Sequence, residues 1–121
     1  MPEIVTFMPD ENLIFVEGFG KVTYEDVKNT FRESYKITKK FTANKVLSDH
    51  SKVESVPEYV EVFNLGSIVG QFFQNKMIAL IYREEFEEDY RLFERSVNKR
   101  GGNLKLFEDR DLALDWLNAI A

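Results

Sequence analysis

The most informative stretch of the sequence is Met77-Ile78-Ala79-Leu80-Ile81-Tyr82, an unbroken run of apolar residues between polar neighbours. A strand with one face in water alternates apolar and polar residues, whereas a strand of a parallel sheet, buried on both faces, is apolar throughout. The run is also too short for a buried helix. It therefore predicts an interior strand over residues 76–82, at the centre of a mostly parallel sheet.

Strand-like and helix-like segments alternate on both sides of this run. Two β-branched and aromatic segments, 3–8 and 13–18, are separated by a turn cluster and predict an antiparallel hairpin. The pattern then predicts a helix capped by Thr23 and Asp26, a strand over 45–49, helices over about 55–73 and 86–97, a strand over 103–107, and a helix opened by Asp109. Strands joined by helices need crossover connections. We therefore predict a single α/β domain over residues 1–121, with a mostly parallel five-stranded sheet, an antiparallel N-terminal edge strand and four or five helices.

The composition disfavours several classes of function. The chain has 21 acidic and 16 basic residues and a net charge of -5, which disfavours general binding to nucleic acid. It has no cysteine and one histidine, which leaves no material for disulfides, thiolate zinc sites or a cysteine nucleophile. No stretch is apolar over the roughly 18 residues that a membrane span needs. We expect a cytoplasmic protein without a metal or other cofactor.

The single histidine stands in Asp49-His50-Ser51, which holds the three residue types of a hydrolase triad. Adjacent residues of an extended chain point to opposite faces, so these three cannot form a relay among themselves. The predicted position, just past the carboxyl end of a parallel strand, is where open α/β sheets place ligand sites. We interpret His50 as a solvated loop residue, predict no catalytic residue and expect a protein that is not an enzyme.

Two serines near this stretch are candidate phosphate acceptors. Ser55 and Glu58 have the spacing of a helix capping box, with Pro57 in the first turn, so the first interpretation of Ser55 is a helix cap. A hydroxyl at a helix N-terminus is also a favourable place for phosphate, because the helix dipole stabilises negative charge. We therefore predict Ser51 and Ser55 as phosphorylation candidates.

The segment over residues 58–75 has more apolar surface than one sheet face covers. Its polar residues form one stripe and leave an apolar arc of roughly 200°, about twice the usual core-facing width. Gly66 and Gly70, four residues apart, would allow another element to approach the helix backbone. Either the helix is sandwiched in the core, or its surplus surface binds a protein partner, a second copy of the chain or an apolar ligand. The candidate surface residues are Tyr59, Phe63, Ile68, Val69, Phe72 and Phe73.

Three parts of the chain resemble the SpoIIAA-like branch of the STAS superfamily, which includes anti-sigma-factor antagonists. They are Glu17-Gly18 with Val22-Thr23-Tyr24-Glu25-Asp26-Val27, Lys45-Val46-Leu47-Ser48-Asp49, and Leu106-Phe107-Glu108-Asp109 with Ala113-Leu114-Asp115-Trp116-Leu117. The resemblance covers nearly the whole chain and implies the fold predicted above. It also implies partner switching through phosphorylation of a serine, in the region where this chain has Glu54-Ser55-Val56-Pro57. The branch is similar in fold to lipid-carrying domains, which would suit the apolar residues 59–73.

Two functions are compatible with these features. The first is a non-enzymatic regulatory module that acts through protein contacts, with residues 49–55 and the following helix as its working surface. The alternative is a small carrier or sensor of an apolar, lipid-like ligand held between residues 59–73 and the sheet. Fold resemblance alone does not choose between them, because one fold can host many functions.

Overall fold

The computed structural model describes residues 3–119, in which five strands and four α-helices follow one another along the chain. The strands are β1 (Glu3–Met8), β2 (Leu13–Lys21), β3 (Lys45–Ser55), β4 (Met77–Ile81) and β5 (Asn103–Phe107). The helices are α1 (Tyr24–Phe41), α2 (Tyr59–Phe72), α3 (Glu87–Lys99) and α4 (Arg110–Asn118). Short 3-10 turns over Pro9–Glu11 and Glu84–Phe86 precede β2 and α3. No helix in this part of the chain is long and apolar enough to cross a membrane.

The five strands form one mixed sheet in the order β1-β2-β3-β4-β5. β1 pairs antiparallel with β2, and every other neighbouring pair is parallel. The predicted fold class and the antiparallel edge strand are confirmed, and so is the interior position of β4. The central strand, however, is β3 and not β4. The N-terminal hairpin adds β1 and β2 on one side of β3, and β4 and β5 lie on its other side. An apolar run indicates an interior strand, but it does not distinguish the central strand from the interior strand next to it.

Helices cover both faces of the sheet, which explains why β4 has no polar residue. α1, α2 and α3 pack on one face, against a core that includes Ile14, Val46 and Leu80. α4 packs on the other face, where Leu117 lies in a cluster with Leu47. Successive residues of the inner strands therefore contribute to two separate cores, one on each side of the sheet.

β3 is longer than the sequence pattern predicts, since it runs over 11 residues and does not end at Asp49. β4 stops beside it at the pair of Asp49 with Ile81, so the second half of β3 is paired with β2 alone. The prediction missed this extension because His50-Ser51-Lys52 is polar, and successive polar residues are typical of a loop. The working surface predicted over residues 49–55 is therefore a strand.

Helix-start signals in the sequence are confirmed for α1 and α4 but not for α2. Thr23 Oγ1 accepts a hydrogen bond from Asp26 N (3.2 Å), and Asp26 Oδ2 accepts one from Thr23 N (2.8 Å), which completes the predicted capping box. Asp109 Oδ1 accepts from the backbone N–H two residues further on (2.7 Å). The predicted Ser55–Glu58 box is wrong, because Glu58 itself stands at the N-cap of α2 and Ser55 ends β3.

α2 packs against both α1 and α3, and its apolar surface is therefore shared between neighbours and solvent. Gly66 and Gly70 face α3, and a methyl group on Gly70 would lie 2.9 Å from the carbonyl carbon of Val97. On the other side, the ring of Phe72 packs edge-on against Phe31 of α1, with the ring centroids 5.7 Å apart. The close helix approach that the two glycines predict is confirmed.

Candidate functional site

The core contains a group of five polar side chains beneath the helices, which we call the His50 cluster. Its members are Glu3 of β1, Thr30 of α1, Ser48 and His50 of β3, and Tyr90 of α3. Glu3, Ser48 and Tyr90 are buried, and the His50 side chain is 11% exposed. The interpretation of His50 as a solvated loop residue is wrong, because its ring lies edge-to-face against Tyr90 under α3. Burying these groups costs free energy unless they hydrogen-bond one another.

Each member of the His50 cluster has a partner within the cluster. His50 Nε2 lies 3.2 Å from Glu3 Oε2 and 3.0 Å from Ser48 Oγ. His50 Nδ1 lies 2.9 Å from the Tyr90 hydroxyl, and Thr30 Oγ1 donates to Glu3 Oε1. Because an ionised carboxylate only accepts, we assign the ring proton to Nε2, which donates to Glu3, while Nδ1 accepts from Tyr90.

The environment of Tyr90 disfavours the ionised form of its hydroxyl. Burial raises the pKa of the Tyr90 hydroxyl above its ordinary value, and the negative charges of Glu3 and Asp89 raise this pKa further. The hydroxyl therefore keeps its proton at neutral pH and has a hydrogen to donate to His50 Nδ1.

Strand periodicity places Glu3, Ser48 and His50 on the sheet face that is covered by α1, α2 and α3. In β1, Glu3 shares a face with Val5, which packs against the core on that side. In β3, His50 follows Ser48 at a step of two, so both point the same way. Gly18 of β2 leaves room for the imidazole, because a methyl group there would lie 3.2 Å from His50 Cδ2. The absence of a side chain at Gly18 thus helps to make room for the His50 ring.

The cluster contains serine, histidine and glutamate but lacks the geometry of a catalytic triad. A triad places the serine at one ring nitrogen and the carboxylate at the other, so that the carboxylate orients the base that takes the serine proton. Here Ser48 and Glu3 both lie at Nε2, and Tyr90 occupies Nδ1. Because Nε2 already carries the proton donated to Glu3, it cannot accept one from Ser48. Asp49 faces the other side of the sheet, where Arg110 Nη1 lies 3.8 Å from its Oδ2.

Two cavities lie beside the His50 cluster, between the sheet and the helices. The first, of about 80 Å³, is lined by four members of the cluster and otherwise mainly by apolar side chains. The second, of about 50 Å³, is lined by two members of the cluster and by residues around the start of α2. The residues that line both cavities are Val27, His50, Leu80 and Phe93. Both cavities are small beside the roughly 300–1,000 Å³ of a pocket for a drug-sized ligand.

A metal site is not formed by the described residues. Within residues 3–119, no three side chains of the histidine, cysteine, aspartate and glutamate types converge closely enough to hold an ion. In the His50 cluster, Glu3 is the single carboxylate and already accepts hydrogen bonds from Thr30 and His50.

The two predicted phosphate acceptors lie in different environments. Ser51 is exposed on β3, and its backbone N–H donates to Asp49 Oδ1 at 2.9 Å. Ser55 is half-buried at the last position of β3, and its carbonyl oxygen accepts from Val22 N at 3.1 Å. Ser55 does not stand at the first turn of α2, so the argument from the helix dipole does not apply to it. Phosphorylation of either serine stays a prediction.

The six candidate surface residues of α2 and its C-terminal end do not share one environment. Tyr59, Phe63 and Phe72 are exposed, Ile68 and Val69 are half-buried, and Phe73 is buried. Phe73 and Val69 both line the first cavity, and the buried Phe73 offers no surface to a protein partner. A binding role for the exposed residues stays a prediction.

The exposed residues at the start of α2 form a patch of their own. Val60, which belongs to the predicted apolar arc but not to the six candidates, is also exposed. Phe63 follows Tyr59 by four residues and Val60 by three, so its side chain is a neighbour of both on the helix surface. We call these three residues the α2 patch.

Sequence reasoning missed Glu3, Thr30, Ser48 and Tyr90 as site residues. A signal was present for Glu3, since the alternation of β1 puts it on the inward face, where an acidic side chain needs a buried partner. No local signal links Tyr90 to His50, because the two lie 40 residues apart in the chain. The apolar spacing of α3 marks Tyr90 as a core residue and says nothing about its hydroxyl.

Comparison with solved structures reveals a relationship in fold. The chain is similar to an uncharacterized protein from the DUF3478 family with a SpoIIAA-like fold from Shewanella loihica PV-4, with a TM-score of 0.62, 22% identity, and coverage of 95% of this chain and 93% of that chain. No protein-family model and no curated protein matches the chain. The resemblance seen in the sequence is thus confirmed at the level of architecture, and the chain has a SpoIIAA-like fold.

Proposed function

We propose that the chain is a non-enzymatic, STAS-like regulatory module that binds a protein partner through the α2 patch. The observation that carries this proposal is the exposure of Tyr59, Val60 and Phe63, by 63%, 68% and 46%, at neighbouring positions of one helix. Burying a large apolar side chain is worth about 1.5–3 kcal/mol, so free energy favours covering this patch. Aromatic residues are also enriched among those that dominate binding energy.

The charges around the α2 patch favour a different protein over a second copy. Glu58 and Glu61 flank the patch and line one groove together with Lys21 and Glu25, which leaves that groove negative. A second copy docked about a twofold axis would bring these carboxylates toward their own counterparts. A partner with an apolar centre and a rim of lysine or arginine would complement both the patch and its charges.

The geometry of the His50 cluster supports the non-enzymatic part of this proposal. Ser48 and Glu3 compete for the same ring nitrogen of His50, and a serine nucleophile needs that nitrogen free to take its proton. A network in which each member contacts another member links β1, β3 and α3, which suits a rigid module that presents a surface.

The test compares one substitution in the α2 patch with a matched control. Val60→Asp puts a charge on the patch, and Leu112→Asp puts the same charge on an apolar residue of α4, on the opposite face, that is 57% exposed. The partner is first identified by photo-crosslinking from position 60 in the cells of origin and is then purified. We expect Val60→Asp to weaken the affinity for the purified partner at least tenfold, about 1.4 kcal/mol, and Leu112→Asp to leave the affinity unchanged.

Two outcomes would overturn the proposal of a different partner protein. One is an equal loss of affinity in both variants, which would mean that partner binding does not depend on the α2 patch in particular. The other is a homodimer in sedimentation that Val60→Asp dissociates, which would make a second copy the occupant. Thermal melting of both variants checks that each has the stability of the unaltered chain, as expected for an exposed position.

The two cavities favour a second candidate function, the binding of a small ligand between α2 and the sheet. They lie in the place predicted for an apolar ligand, and both combine apolar walls with polar groups of the His50 cluster. Their volumes favour a ligand much smaller than a lipid. Native mass spectrometry of the purified protein tests this function, since a retained small molecule would add its mass to that of the chain, and the same spectrum reports the oligomeric state.

A further inference from the structure

One hydrogen of the His50 cluster, that of the Ser48 hydroxyl, has no acceptor within the cluster. Thr30 and His50 Nε2 donate to the two oxygens of Glu3, and Tyr90 donates to His50 Nδ1. Ser48 Oγ lies 3.0 Å from Nε2, which already carries a proton and cannot accept another. Within residues 3–119, Ser48 Oγ has no other hydrogen-bond partner, so its own hydrogen is left for a molecule outside the cluster.

This spare donor lies at the wall of the first cavity. Ser48, Glu3 and His50 all line that cavity, and Ser48 is only 9% exposed. A carboxylate offers about four lone-pair sites, so Glu3 can accept more than the two hydrogen bonds it receives inside the cluster. The cavity therefore presents a donor from Ser48 beside an acceptor from Glu3. A hydroxyl group, which is both an acceptor and a donor, complements this pair.

The other walls of the cavity determine the rest of the ligand. Apart from Ser34, they are apolar, and they include Val16, Val46, Val69, Phe73 and Ile78. An anionic head group would meet the carboxylate of Glu3 in a site with little water, where like charges repel strongly. The ligand body that fits these walls is therefore uncharged and apolar.

The cavity volumes limit the size of that body. The first cavity has about 80 Å³ and the second about 50 Å³, and they are separated by side chains that line both. A cavity of about 150 Å³ holds a benzene ring, so the two spaces joined would approach the room that one compact ring needs. Val27, His50, Leu80 and Phe93 line both cavities, so the two spaces adjoin.

We infer that the cavity beside the His50 cluster binds a small uncharged molecule with one hydroxyl group on a compact apolar body, a phenol or a small alcohol. The hydroxyl oxygen accepts from Ser48 Oγ, and the hydroxyl hydrogen is donated to Glu3 Oε2. This inference rests on the second candidate function, the binding of a small ligand, and does not involve the α2 patch.

The test compares phenol with toluene, which has the same ring and carries a methyl group in place of the hydroxyl. Two-dimensional NMR titration measures both affinities and locates the ligand through signals of the residues that line the cavity. We expect the unaltered chain to bind phenol at least tenfold more tightly than toluene, about 1.4 kcal/mol, because the polar pair is left unsatisfied by toluene. Ser48→Ala should abolish this preference. Ser96→Ala, a buried serine of α3 that lines neither cavity, should keep it.

Three results would overturn the inference, and they are distinguishable from one another. If neither compound perturbs the cavity signals, the second candidate function fails together with the inference. If both bind equally, small-ligand binding stands and the assignment of a hydroxyl is wrong. If Ser34→Ala abolishes the preference and Ser48→Ala does not, the hydroxyl sits against α1, because Ser34 lines the same cavity from that helix.

Discussion

Removing one hydroxyl from the His50 cluster tests whether the network stabilises the fold. Tyr90→Phe deletes the donor that lies 2.9 Å from His50 Nδ1 and keeps the ring, whose centroid is 6.0 Å from that of Tyr82. Packing is therefore retained while a largely covered nitrogen loses its partner. Leaving a buried polar group unsatisfied costs about 1–3 kcal/mol. We expect the free energy of unfolding at pH 7 to fall by about that amount.

Urea unfolding of Tyr90→Phe beside Tyr59→Phe measures this effect. Tyr59 is exposed, so the control removes the same atom from a position where substitutions usually change stability by less than about 0.5 kcal/mol. A loss in Tyr90→Phe no larger than the loss in the control would refute the assignment of a buried hydrogen bond to His50.

The same variant has a characteristic pH dependence. Burial, and then the charges of Glu3 and Asp89, raise the pKa of Tyr90 in the folded chain, whereas in the unfolded chain the hydroxyl titrates near 10. Above about pH 10 the unfolded chain has lost this proton while the folded chain still holds it, so stability falls as the pH rises, by up to about 1.4 kcal/mol per pH unit. Tyr90→Phe lacks this contribution. Parallel stability curves for the two proteins between about pH 9 and 11 would contradict the raised pKa.

Two further predictions concern the packing of the fold. Gly70→Ala should destabilise the chain by about 1–3 kcal/mol in thermal or urea unfolding, although alanine normally favours a helix by about 1 kcal/mol, because the added methyl group would meet the backbone of Val97. A stabilised Gly70→Ala variant would mean that α2 and α3 are further apart than described. Amide hydrogen exchange should be slower in β4 than in β1, since β4 is paired on both sides and β1 is an edge strand. Equal rates in the two strands would contradict the strand order.

Local sequence patterns predicted the elements that depend on short-range chemistry. The apolar run of β4 identified an interior strand, and Thr23 with Asp26 identified the start of α1, because an apolar period and a cap each involve residues close in the chain. The glycines at 66 and 70 likewise indicated the close approach of another element, and the structure shows that this element is α3. In contrast, the polar stretch around Ser51 suggested a loop, and pairing with β2 overrode that local preference by extending β3 to Ser55.

The sequence by itself determined that this chain is an α/β domain with a mostly parallel sheet and a helix whose apolar surface exceeds one sheet face. Only the tertiary structure decided that β3 is central, that the His50 ring packs against Tyr90, and that Glu3 and Tyr90 bind its two nitrogens. The reason is physical: apolar periodicity reports that a side chain is buried, but it carries no information on which distant side chain lies opposite. Hydrogen bonds between separate elements depend on the register and crossing of those elements, and these arise only when the whole core packs.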